Sequence, residues 1–74
     1  MWSEGSIKAG NSIFNYWVKH YSEPSAYGIN EGRVSKLILK RNGEIVYNFD
    51  RGLNIAAADD DTECVLAILL KEYN

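Results

Sequence analysis

Cys64 and His20 are the only cysteine and the only histidine in the chain, so any thiol–imidazole chemistry would have to come from this pair. A thiolate would be favoured if Cys64 lay in the first turn of a helix. No third orienting group is evident, and nothing in the spacing brings His20 to Cys64. A packed helix cysteine and a strand-end histidine account for both. Asp59-Asp60-Asp61 has the oxygens for Mg2+ or Ca2+ but lacks the spaced ligands, glycine and distal glutamate of a calcium loop. Helix capping explains the same acids more simply. "GINEGRVS", Gly28 to Ser35, approaches a phosphate-binding loop. Its glycines are one residue too close, the lysine is missing, and a strand follows where that loop needs a helix. No catalytic residue, metal or cofactor is therefore expected, and the chain reads as a non-enzyme.

The elements that would carry any other site can be read from periodicity. The 74 residues are short for more than one domain, so residues 1–74 are expected to form one. Hydrophobic content of 46% and charged content of 24% suit a folded globule. A formal charge of −2 gives little pull toward nucleic acid or an acidic membrane. A lone cysteine, no cationic leader at Met1–Gly5 and no long apolar run point to the cytoplasm, away from any membrane.

Gly10-Asn11 suits a tight primed turn between Ile7-Lys8-Ala9 and Ile13 to Val18. That turn pairs residue 9 with 12, 7 with 14, 5 with 16 and 3 with 18. Ile7, Phe14, Tyr16 and Val18 then share one face, and Trp2, Ile13 and Trp17 the other. A second hairpin joins Val34–Lys40 to Glu44–Asp50 through Arg41-Asn42-Gly43. A type I turn with Gly43 as a left-handed bulge pairs 40 with 44 and puts Leu37, Leu39, Ile45, Tyr47 and Phe49 together. After a connection at Leu53–Ala58, Asp60 as N-cap with Glu63 opens a helix presenting Val65, Leu66, Leu69, Leu70 and Tyr73 on one side. The expected fold is α+β: a four-stranded antiparallel sheet of two hairpins, with one C-terminal helix packed on one face.

The opposite sheet face is the main candidate site. It is expected to show Trp2, Ile13, Trp17, Val34, Ile38 and Val46 among Lys8, Lys19, Lys36 and Lys40, with Glu4, Glu44 and Asp50. Four lysines against three acids leave one positive charge, little to drive counterion release from nucleic acid. An apolar centre with a charged rim reads better as a protein-contact surface. Weak single-stranded nucleic-acid binding through the same face is the alternative. The bland reading is that the tryptophans only shield the sheet.

Between the hairpins, Tyr21 to Gly32 is a long connection, of the kind that is functional or tied down by its own side chains. Tyr27 and Ile29 are expected to anchor it to the sheet edge, with Tyr27 to Asn30 bordering the contact face. The stretch "EPSAYGINEGRVSKLIL", with "NFDRG" and the closing "AILLKEYN", resembles a family of very small uncharacterised proteins from Gram-positive bacteria, their phages and plasmids. That family is a domain of unknown function, so the resemblance implies a mobile-element setting and no activity.

The functional expectation is a monomeric or weakly dimeric interaction module for an unidentified protein partner. Its expected contact residues are Trp2, Trp17, Ile38, Lys19, Lys36, Tyr27 and Asn30.

Overall fold

The computed structural model describes residues 1–74. Trp2–Ala9 (β1) and Ser12–His20 (β2) form the first hairpin, with Ala9 opposite Ser12, Ile7 opposite Phe14 and Ser3 opposite Val18, the expected register. Gly10 alone in this turn has a left-handed φ, 60°, the II′ pattern. Val34–Arg41 (β3) and Glu44–Asp50 (β4) follow, then Leu53–Ile55 (β5), and the helix α1 closes the fold over Asp60–Tyr73. All neighbouring strands are antiparallel and run in the order β1-β2-β3-β4-β5, a meander.

The sheet thus has five strands, not four. β5 escaped the sequence reading because it is three residues long, centred on Asn54, and exposed throughout. Its pairing completes the backbone hydrogen bonding of β4 instead of burying a side-chain stripe. Arg51 and Gly52 make the turn into it, and the left-handed residue is Arg51 (φ 57°).

The second hairpin also differs from expectation. Asn42 and Gly43 both have positive φ, 54° and 77°, the I′ pattern of a two-residue turn. Arg41 faces Glu44 and Lys40 faces Ile45; the register then shifts so that Leu39 faces Tyr47 and Leu37 faces Phe49. The extra residue is Val46, inside the strand, and not Gly43 in the turn. Leu37, Leu39, Tyr47 and Phe49 share the core face as expected, but two placements reverse. Ile45 turns outward, and Val46 leans on the core.

Val34 is corrected in the same way. A bulge between Lys19 and His20 sets Val34 opposite His20, so it points inward and is fully buried.

The core lies between sheet and helix: Phe14, Val18, Val34, Leu37, Leu39 and Tyr47 from the strands meet Val65 and Leu69 of α1. The helix cap is Asp59 and not Asp60. Its Oδ1 accepts from the Thr62 amide at 2.8 Å, while its Oδ2 accepts from the Arg41 guanidinium, so the residue in reach of the hairpin takes the cap. No helix is long and apolar enough to cross a membrane.

The loop between β2 and β3 is laced to itself. Ser25 N donates to Gly32 O, Gly28 N to Ser25 O, and Gly32 N to Ile29 O, at 2.9–3.0 Å. Ile29 anchors it, buried; Tyr27 does not, being 69% exposed.

Candidate functional site

Helix α1 covers one sheet face and leaves the other bare. On that bare face the registers build three cross-strand rungs. The first runs Trp2, Lys19, Lys36, Asp50; the second Glu4, Trp17, Ile38, Asn48; the third Ser6, Asn15, Lys40, Ile45. Trp2, Trp17 and Ile38 meet as expected, in a shallow cleft of ≈ 310 Å³ completed by Lys40 and Ile45. Trp2 is 54% exposed, so this apolar surface is open. Lys40 Nζ lies 5.4 Å from the Trp17 ring centre, and Lys19 Nζ lies 5.8 Å from both the Trp2 and Tyr21 ring centres. Such cation–π contacts are worth ~0.5–1 kcal/mol at exposed sites, enough to orient the ammonium groups over the rings.

Lys19, Lys36 and Tyr27 gather in a neighbouring cleft with Tyr21, Ser25, Ser35 and Arg51. Lys36 pairs loosely with Asp50, at 3.6 Å. Lys19 and Arg51 have no carboxylate within ion-pair distance, since the protein's other ion pair joins Arg41 to Asp59. Asn30 joins neither cleft: it is exposed and takes a left-handed backbone (φ 52°) in the Ile29–Glu31 turn. Arg51, Tyr21 and Ile45 were missed by the sequence reading. Ile45 could have been found from Asn42-Gly43 read as an I′ turn. Arg51 needed β5, which carries no comparable signal.

The corrected register changes the charge of this face. Glu44, opposite Arg41, lies toward the helix side with Asp59, and Arg51 joins the bare face. Lys8, Lys19, Lys36, Lys40 and Arg51 now stand against Glu4 and Asp50, leaving three positive charges. The other three cations and eight acids of the chain give the remainder a charge of −5. The molecule is polarised, basic on the bare sheet and acidic elsewhere.

The other candidates separate. His20 lies at the helix C-terminal end, with its ring centre 4.8 Å from that of Tyr73 and its Nε2 3.1 Å from Ser3 Oγ. Burial lowers its pKa, helped by the N-terminal ammonium and Arg33. Cys64 sits near the start of the same helix, nine residues from Tyr73, and is exposed, not packed as expected. At a rise of 1.5 Å per residue the two ends are about 13 Å apart, too far for a thiol–imidazole pair. No three His, Cys, Asp or Glu side chains converge in a metal-binding group. A larger hollow of ≈ 490 Å³ lies between the β3–β4 turn, β5 and the start of α1. Its Arg41 is already engaged by Asp59.

Over residues 1–74 the sequence matches the model of a domain of unknown function, DUF7678, and the chain belongs to that family. It matches no curated protein. No solved structure matches it either.

Proposed function

We propose that this DUF7678 family member is a non-enzymatic protein-interaction module that binds its partner with the bare sheet face. One observation carries the reading: Trp2, Trp17, Ile38 and Ile45 form an open apolar cleft, with lysines set over its indoles, on the face that the helix leaves uncovered. An aromatic anchor site ringed by charge is the usual anatomy of an interface hot spot. Single-stranded nucleic acid is the second reading, favoured by the three net positive charges of the face. The ammonium groups over Trp2 and Trp17 count against it, because they occupy positions that stacked bases would need. A cytoplasmic, mobile-element setting belongs to the same proposal, as does a monomeric or weakly dimeric state.

The test is capture from a nuclease-treated host lysate over a range of salt. A partner protein retained after nuclease and at physiological salt supports the module. Material that is lost with nuclease, and whose binding falls steeply between low and physiological salt, supports nucleic acid instead.

A further inference from the structure

The first rung contains an arrangement that folding alone does not favour. Lys19 and Lys36 stand directly opposite each other on β2 and β3. Like charges in that position destabilise a sheet. Arg51 lines the same cleft as a third cation, from a left-handed backbone that a long side chain seldom adopts, although Gly52 is its neighbour. Its amide is held by the Ser35 carbonyl at 3.1 Å, at the bulge beside Lys36. Asp50 neutralises part of Lys36 only. Two structural costs are thus accepted at one spot, and together they hold an excess of positive charge beside the apolar cleft.

We propose that Lys19, Lys36 and Arg51 form a carboxylate-binding subsite, and that the partner presents an extended acidic segment with an apolar side chain two residues from an acidic one. This rests on the interaction reading and deepens it. The spacing follows from the strands. Lys36 and Ile38 are two residues apart and face the same side, as do Lys19 and Trp17. At ~3.3 Å per residue this is roughly 7 Å, the distance spanned by positions i and i+2 of any extended peptide. An apolar side chain in the Trp17–Ile38 cleft therefore sets a carboxylate two positions away over the cations. Charge favours a short acidic segment over a long polyanion. The basic face holds only three net charges, and the rest of the molecule, at −5, repels anything that extends beyond it.

The experiment uses the whole protein and short synthetic peptides, with tryptophan fluorescence and backbone amide shifts as readouts. One peptide carries glutamates two positions from a leucine in a Ser/Thr background. A second has the same composition with the spacing scrambled, and an oligothymidylate is the third probe. The spaced peptide should bind on the order of tenfold more tightly than the scrambled one. Replacing all three cations (K19Q, K36Q and R51Q) should weaken it by a similar factor, as three exposed pairs of modest strength imply. Equal binding of the two peptides, no binding at millimolar concentration, or tighter binding of the oligothymidylate would each overturn the proposal. W17E separates the two levels. If W17E abolishes binding of the spaced peptide while the triple glutamine variant binds unchanged, the carboxylate subsite fails and the interaction face stands. If the spaced peptide binds W17E and wild type equally, the interaction face fails as well.

Discussion

Arg41, at the end of β3, reaches across to Asp59, the N-cap of α1, and ties the second hairpin to the helix that covers it. The same carboxylate accepts from the Thr62 amide. Arg41 is the main reason, and Thr62 the next, that the Asp59 pKa falls to about 2 from its ordinary 3.8. A depressed carboxylate stabilises the fold above its unfolded pKa and loses that contribution as pH falls through the folded one. Asp59→Asn keeps a cap acceptor and removes the charge. It should lower the Tm at neutral pH, and the gap from wild type should shrink between pH 3.8 and about 2. Thermal melts of both proteins across that window check the sign. A gap that does not change with pH would show that the charge of Asp59 contributes nothing to it.

Asn74 closes the other end of the molecule. Its Oδ1 accepts from Val34 N and its Nδ2 donates to Ile29 O, both at 3.0 Å, so one amide pins the long loop to the start of β3. Asn74→Ala strands both backbone groups, at a cost of about 1–3 kcal/mol. Amide exchange should rise first at Val34 and in the loop, before the β1–β2 hairpin loosens.

The loop also depends on Gly28. A Cβ there would run into the Gly32 carbonyl oxygen, which accepts the Ser25 amide. Gly28→Ala should cost about 1–3 kcal/mol as a backbone clash with no flexible side chain to yield. A denaturant melt unchanged from wild type would show that the loop relaxes freely.

Lys19 offers a test that separates stability from binding. Lys19→Glu replaces a like-charge pair with an opposite-charge pair across β2 and β3, and it removes the ammonium from the Trp2 and Tyr21 rings. The charge swap gains about 0.2–1 kcal/mol and the lost cation–π contacts cost a similar amount, so the Tm should move little, with the charge gain showing as a relative rise at low salt. The same change should weaken capture of an acidic partner. A Tm difference from wild type that is the same at low and high salt would mean that the two lysines are not in conflict.

Elements held by side-chain burial were legible in the sequence, and those held by backbone pairing or one-residue offsets were not. The first hairpin register followed from Gly10-Asn11 and from Ile7, Phe14 and Val18 on one face. The helix followed from Val65, Leu66, Leu69 and Leu70. β5 is too short to read, because Leu53-Asn54-Ile55 alternates over only three residues and neither apolar side chain is buried. The bulges at Val46 and Ser35 leave the inner residues Leu37, Leu39, Tyr47 and Phe49 in place, so burial could not locate them. They nonetheless decide that Ile45 faces outward and Val34 inward. The candidate site was accordingly legible at its centre, Trp2, Trp17 and Ile38. It was wrong or incomplete at its margin, where Ile45 and Arg51 enter and Val34, Val46 and Glu44 leave.

The central claim is that binding uses the bare sheet face, and a comparison of two faces tests it most directly. Trp17→Glu places a charge in the outer cleft, while Ile68→Glu places the same charge at an exposed apolar position on the helix, where Ile68 is 46% accessible. Both are compared with wild type for capture of nuclease-resistant partner protein, after circular dichroism has shown each to be folded. Trp17→Glu should lose the partner and Ile68→Glu should retain it. Retention with Trp17→Glu and loss with Ile68→Glu would contradict the claim and move the binding surface to the helix.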